Sequence, residues 1–401
     1  MAFGSIDVAS AEDSSLTKIS VKGHARFRYE DTQGYGAAAN SFARSGFWSI
    51  RIRPQISMTV DDMATVVFEP QFAKALGRDY SYGLTSSSGA SAYNENFHAH
   101  QGYIQLNLTE GLSVRGGRMA LRYGGQLIIS PAEWGISGRS FDGLMLSQKS
   151  ELVDIDLGHL KIVSTDAKIE EDRDLNFLYT SWKLAEALKT FELYALHESN
   201  RTGGLDESRS GYGARMKLQA SGFDIGGEYS MQHGTAGFIA RDETTAIVVA
   251  EAGYTFADLA KLRIGFEYDL ADELWRDWYP LTKSPLGRND VVGRRNLTAY
   301  AARVSMEPSE SLKLTLDYWM FSRTKDTAPA YKTNSSTAVG SVAGSNSKDI
   351  GQAIEAALAY RATDKVELGI GAAYFIQGDY LKNYFGDREL TDFYAVANVS
   401  F

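Results

Sequence analysis

Between Phe47 and Val60 the chain alternates without a break. Trp48, Ile50, Ile52, Pro54, Ile56, Met58 and Val60 share one parity, and Ser49, Arg51, Arg53, Gln55, Ser57 and Thr59 share the other. A period of two sustained that far is a strand, because a helix would scatter both sets around its axis. It is also longer than the ~5–6 residues of an ordinary globular strand. The alternation returns at 19–29, 212–218, 262–268, 312–318 and 393–401, and about eighteen such segments can be placed along the chain.

The connections between these segments carry the architecture. Short ones fall at 61–62, 109–111, 150, 186–187, 221, 258, 308–309 and 363–364. Long ones fall between them at 31–45, 77–95, 123–139, 166–173, 200–207, 234–241, 272–292, 325–347 and 379–388. A soluble two-sheet sandwich gives no reason for that alternation, and no repeat of propeller length is present. An outer-membrane barrel does, with short periplasmic turns and longer extracellular loops. The expected fold is all-β: a closed antiparallel transmembrane β-barrel of about 18 strands over residues 17–401, preceded by an N-terminal periplasmic segment at 1–16. Porins of ~16–18 strands enclose an aqueous channel, so this width implies a pore unless loops fold in and plug it.

Composition narrows the chemistry. Among 401 residues there is no cysteine, which removes disulfide scaffolds, cysteine zinc sites, iron–sulfur clusters and thiol catalysis together. The balance of 50 acidic against 41 basic residues argues against a nucleic-acid coat. With 38 Gly, 22 Tyr and 19 Phe against 7 Pro, the chain favours strands joined by turns. No stretch approaches the roughly 18 apolar residues of a membrane-spanning helix. Met1–Ser15 lacks a basic n-region and an apolar h-region, while Ala9-Ser10-Ala11 looks like the small-residue end of a signal peptide, so an export signal is expected to be missing from this form. No catalytic motif is found, and the pair His98 and His100 is weighed as a metal site and declined. No enzyme activity, cofactor or metal is expected.

The inward parity is the one opposite the apolar belt. Near the N-terminus it is basic, with Lys22, Arg26, Arg28, Arg51, Arg53 and Arg115, interrupted by Glu69. Further along it is mixed, and Glu192, Arg215, Lys217, Glu228, Glu251, Arg263, Glu267, Arg303, Asp317 and Glu367 fall on it. A basic stripe facing an acidic wall sets up a transverse field, and guanidinium groups in a narrow mouth can track carboxylates or phosphates bidentately. The plainer alternative is that these arginines pair with acids and stiffen the wall. Loop 272–292 carries Trp275, Trp278, Tyr279, Pro280 and Pro285, and loop 77–95 carries Tyr80, Tyr82 and Tyr93. Both read as inward-folded lids or girdle aromatics before sugar platforms or partner anchors.

The most distinctive stretch runs Gly117-Arg118-Met119-Ala120-Leu121-Arg122-Tyr123-Gly124-Gly125-Gln126-Leu127-Ile128, then Trp134, then Gly138-Arg139-Ser140-Phe141-Asp142-Gly143. That order resembles the alginate export family of outer-membrane proteins. The resemblance implies an eighteen-stranded barrel with an electropositive, arginine-rich passage for a polyanionic uronate polymer. By position it puts Arg118 and Arg139 on the family's motif, with Asp142 as ion-pair partner. Arg115 and Arg118 have opposite parity, so both face the lumen only across a bulge or a strand end. Arg118, Arg139 and Asp142 can equally be a buried brace pinning the 123–139 loop inside the barrel.

The expectation is an outer-membrane channel of a Gram-negative bacterium that passes small hydrophilic or anionic solutes, or polyuronate-type polysaccharide. Its site is Arg26, Arg28, Arg51, Arg53, Arg115, Arg118 and Arg139 as an anion-tracking stripe, with Glu69 and Asp142 as internal counter-charges. A general diffusion porin and a surface receptor with a plugged barrel are the alternatives. Lipid and lipopolysaccharide would surround a monomer.

Overall fold

The computed structural model describes residues 17–35, 42–76, 97–163, 172–234, 243–283, 286–333 and 337–401. The 1–16 segment, the 84–92 loop tip, Tyr80, Tyr82, Tyr93 and Pro285 lie outside the described residues. Among those described, eighteen strands form one sheet: β1 Lys18–Tyr35, β2 Phe42–Val60, β3 Ala64–Ala75, β4 Phe97–Thr109, β5 Leu112–Met119, β6 Phe141–Gln148, β7 Val153–Val163, β8 Arg173–Trp182, β9 Leu188–Asn200, β10 Glu207–Ala220, β11 Phe223–Gly234, β12 Thr244–Phe256, β13 Leu262–Ala271, β14 Leu297–Ser309, β15 Leu312–Ser322, β16 Asp349–Thr363, β17 Val366–Gln377 and β18 Leu390–Ser400. Each pairs antiparallel with its sequence neighbours, and β1 pairs with β18, so the sheet closes on itself.

The alternation of short and long connections holds throughout. At the first short turn Asp61 and Asp62 both have positive φ, 50° and 54°, with the Met63 amide bonded to the Val60 carbonyl at 3.0 Å. That is the type I′ geometry whose twist matches the flanking strands, and Asp tolerates it. The β1–β2 hairpin is longer than its sequence pattern indicates: the strands have 18 and 19 residues, where roughly 9–11 suffice to cross a bilayer. The intervening connection shrinks from 31–45 accordingly.

Parity sorts the two faces as the period of two requires. Phe27, Trp48, Ile52, Phe68, Ile104, Leu144, Leu157, Phe266, Tyr300, Ile354 and Phe393 are exposed on the outside, the composition of a lipid-facing belt. Arg26, Arg28, Arg51, Arg53, Gln71, Glu198, Asp269 and Asp392, one residue out of phase, are buried inside. The seam is tight. Gly23 and Phe401 exchange backbone hydrogen bonds of 2.8 and 3.0 Å, and a Cβ at Gly23 would come within 2.6 Å of both the Arg53 carbonyl oxygen and the Phe401 ring.

The interior is not an empty bore. The connection after β5 (residues 120–140) and the one after β13 (residues 272–296) fold into it, with Leu121, Leu127, Ile128, Ile129, Trp275, Trp278, Val291 and Val292 all buried in one apolar cluster with wall residues. Beside them Tyr380 of a short helix, α1 Asp379–Phe385, is fully buried and donates its hydroxyl to the Val339 carbonyl at 2.7 Å.

Candidate functional site: the constricted bore

The 120–140 loop crosses the barrel from wall to wall. Gly125 borders the same cavity as Arg215 on β10 and Glu228 on β11. Residues 133–135, a few positions on, are held by β1 and β2. In a ring of eighteen strands β1 and β10 are nine places apart, which is diametrically opposite. The 272–296 loop runs alongside it: the Tyr279 amide bonds the Ile128 carbonyl at 2.8 Å, the Ser130 amide bonds the Tyr279 carbonyl at 2.9 Å, and the Leu281 amide bonds the Gln126 carbonyl at 2.9 Å. Trp275 and Trp278 are therefore parts of an inward lid. Trp278 lies 3.9 Å over the Arg209 guanidinium and occupies the space a side chain at Gly211 would need.

Four of the expected arginines converge on the loop tip. Arg26 donates to the Glu133 and Gly135 carbonyls at 2.6 and 2.7 Å, and Arg28 to the Trp134 carbonyl at 2.6 Å. Arg51 and Arg53 form ion pairs of 2.8 and 2.9 Å with the Glu133 carboxylate, and Arg53 also reaches the Ser137 carbonyl at 2.7 Å. Charge-assisted bonds of this length are the strong ones. Glu133 itself sits in a contest: burial pushes its carboxyl up, and the Arg53 and Arg51 guanidiniums outweigh that and hold it below the ordinary carboxylate range.

Glu30 is the second hub. It pairs with Arg28 at 2.5 Å, accepts from the Trp134 indole at 2.8 Å and meets Lys283 of the other loop at 3.3 Å. Lys283 also reaches Asp392 on β18 at 2.5 Å, and Arg288 lies over the rings of Trp134 and Tyr394 at 4.8 and 4.0 Å. Both loops are thus tied to the same stretch of wall.

The remaining expected residues separate. Arg139 is inside the bore and donates to the carbonyls of Ser130, Tyr279 and Pro280 at 3.2, 2.6 and 3.1 Å, which ties the two loops together. Arg115 is inward but apart from the tip, with Gln105 at 2.9 Å and the Tyr103 ring at 4.6 Å. Glu69 accepts from Gln55 and Gln101 and lies 3.9 Å from His100, without an ion pair to any of these arginines among the described residues. Arg118 and Asp142 stand outside. They form a bidentate pair of 2.7 Å on the outward parity, half exposed, and no register shift separates Arg115 from Arg118 to turn the latter inward. The brace of the 120–140 loop therefore contains Arg139 and not Arg118 or Asp142.

His98 and His100 bond Gln71 and Ser140 at 2.9 and 3.0 Å. Among the described residues no group of three or more His, Asp or Glu is arranged to hold a metal ion.

Glu133, Glu30, Trp134, Lys283 and Arg288 were not singled out from sequence for this cluster. One signal was available: Glu133 is the only charged residue between Arg122 and Arg139.

The sequence model of the alginate export family matches residues 17–393. No curated protein matches the chain. Among solved structures it is similar to the outer-membrane protein OprD of Pseudomonas aeruginosa, with 12% identity and a TM-score of 0.62 over 96% of this chain and 94% of that one. It is similar to OccK2 (OpdF) of P. aeruginosa in complex with glucuronate, at 9% identity and a TM-score of 0.62 over 96% and 98%. It is also similar to OpdK of P. aeruginosa with vanillate, at 11% identity and a TM-score of 0.63 over 95% and 98%. At these identities the likeness is one of fold.

Proposed function

The chain belongs to the alginate export family and is an outer-membrane, porin-like channel of the Gram-negative envelope, and from that premise we propose that it passes small acidic, hydroxylated solutes of the uronate class. The family and the fold are those of transport proteins rather than enzymes.

The observation that carries the reading is the charge around the loop tip. Four guanidiniums, Arg26, Arg28, Arg51 and Arg53, meet there with two carboxylates in ion-pair contact, Glu133 and Glu30, while Lys283 and Arg288 beyond them are matched by Asp392, Asp290 and Glu355. In a narrow, poorly screened bore guanidiniums concentrated on one wall raise the local concentration of anions. The stripe of Arg26, Arg28, Arg51 and Arg53, with Arg115 and Arg139 nearby, supplies the field. Two loops across the bore favour a single sugar acid over a polymer chain. That two solved relatives of the same fold carry glucuronate and vanillate, both carboxylates, supports the same class. We further propose a monomer surrounded by lipid and lipopolysaccharide, with residues 1–16 on the periplasmic side.

The test is single-channel recording in a planar bilayer with a salt gradient. The expected result is a reversal potential on the anion side and a current reduced by added glucuronate, with a long polyuronate far less effective per carboxylate. A cation-selective or unselective channel indifferent to both acids would sink the proposal and leave a general diffusion porin, the second reading, which the even mix of Arg and Glu on the β10–β14 wall favours.

A further inference from the structure

Among the described residues, the arginine stripe and a cavity left beside the 120–140 loop are on opposite sides of the bore. The guanidiniums of Arg26, Arg28, Arg51 and Arg53 are all engaged by loop-tip carbonyls and by Glu133 or Glu30, and the side chains of Arg28, Arg51 and Arg53 are 1, 4 and 5% exposed. Residues 133–137 fill the ground in front of them. Across the barrel the same loop leaves a cavity of ≈ 260 Å³, bordered by Arg215, Glu228, Glu251, Glu267, Arg294 and Arg303. There Arg303 and Glu251 are each 31% exposed and Arg215 is 20% exposed.

We propose that the solute passes through this chamber on the β10–β14 wall, and that Arg303 and Arg215 take its carboxylate while Glu251 accepts from its hydroxyls. The inference rests on the uronate-class reading above and names the residues that read the solute.

Three features of the chamber set the ligand chemistry. Its free space of ≈ 260 Å³ leaves room for a sugar ring. Its charges are balanced in place: Arg303 pairs with Glu267 at 2.9 Å, Arg215 with Glu192 at 2.8 Å, and Lys217 reaches into it to Glu251 at 3.3 Å. A solute with a single carboxylate can take the open edge of a guanidinium without displacing its partner, since each guanidinium has five donors. A polyanion would meet the carboxylates of Glu228, Glu251 and Glu267 with each further charge. Arg303 also rests 4.9 Å over the buried Trp319 ring, which holds its fork in one orientation. The stripe on β1 and β2 shapes the passage and supplies the field, and the opposite wall makes the contacts.

The experiment compares glucuronate block of the single-channel current in the parent protein, Arg303→Gln, Arg303→Lys and Arg51→Gln, each first shown to be folded by its heat-dependent gel shift. Loss of one charge-assisted contact predicts that Arg303→Gln weakens block about tenfold, the equivalent of about 1.4 kcal/mol. Arg303→Lys keeps the charge and loses the fork, and is expected to fall between the two. Arg51→Gln removes one charge of the field but no contact with the solute, and is expected to change conductance and to weaken block by less than Arg303→Gln does. If the parent is blocked and Arg303→Gln and Arg303→Lys are blocked equally well, or if Arg51→Gln alone abolishes block, the path follows the stripe and this inference is wrong. If glucuronate never blocks the parent, the uronate-class reading itself fails, and this inference with it.

Discussion

Two arginine–carboxylate clusters border the 120–140 loop, and they do unlike work. Arg118 and Asp142 make a geometrically good bidentate pair, both half exposed, on the outer face of β5 and β6. Arg51 and Arg53 make pairs of similar length with Glu133, but inside the barrel, with the arginine side chains almost fully buried and a chain-crossing loop attached. Length and geometry do not separate the two sites. Surroundings do: the outer pair is half exposed beside Lys161 with its partners Asp172 and Asp174, a charged stretch where water can screen it, whereas the inner arginines have exchanged hydration for Glu133 and for loop carbonyls, so removal of the acid leaves buried charge behind.

The largest effect is expected from Glu133→Gln. It removes the carboxylate that Arg51 and Arg53 share and leaves them loop carbonyls with His24 and Gln71, should lower stability by about 1–3 kcal/mol, and should free the loop tip so that single-channel conductance rises severalfold. An unchanged conductance would mean that the carbonyl contacts alone hold the loop. Next comes Arg139→Ala, which removes the donor shared by Ser130, Tyr279 and Pro280 and uncouples the two loops. Noisier open-channel current with a smaller rise in mean conductance is expected, and a quiet trace of parental size would count against the coupling.

Acid sharpens the comparison further. Because Glu133 ionises below its ordinary range inside the bore, the anchorage it gives is complete at neutral pH and is lost only as pH falls through that depressed value. Conductance of the parent should stay flat down to the ordinary carboxylate range and rise only below it, while Glu133→Gln shows no such rise. A rise beginning near neutrality would place the responsible group elsewhere. The smallest effect is assigned to the outer pair: Asp142→Asn or Arg118→Gln should cost about 0.2–1 kcal/mol in low salt, less in high salt, and leave reversal potential and conductance unaltered. A shift in selectivity from either variant would return these two residues to the channel.

The wall was written in the sequence because a period of two is a local property, and turn length is too. Outward Ile50, Ile52 and Ile56 and inward Arg51 and Arg53 follow from counting by twos, as does the alternation of turns and loops. The parity clash between Arg115 and Arg118 was visible as well, and the in-register pairing of β5 resolves it against Arg118. What fills the barrel was not visible in the same way. The contacts Arg53–Glu133, Arg28–Trp134 and Glu30–Lys283 span 80, 106 and 253 residues of sequence, and only the closed barrel brings them together. The inward fold of Trp275 and Trp278 could be expected from loop aromatics with no outside use, but their resting place against Arg209 and the loop backbones is tertiary.

The seam between β1 and β18 turns one missing methyl group into a condition for biogenesis. Gly23 and Phe401 meet across the joint between the first and last strands, a pairing with the largest loop-closure entropy of any in the molecule, so it zips last. Until it forms, two strand edges stand open to neighbouring chains in the periplasm. A Gly23→Val chain would hold those edges apart by the width of a side chain at the final step, and its fate would be decided by proteases and chaperones before any channel existed to be measured.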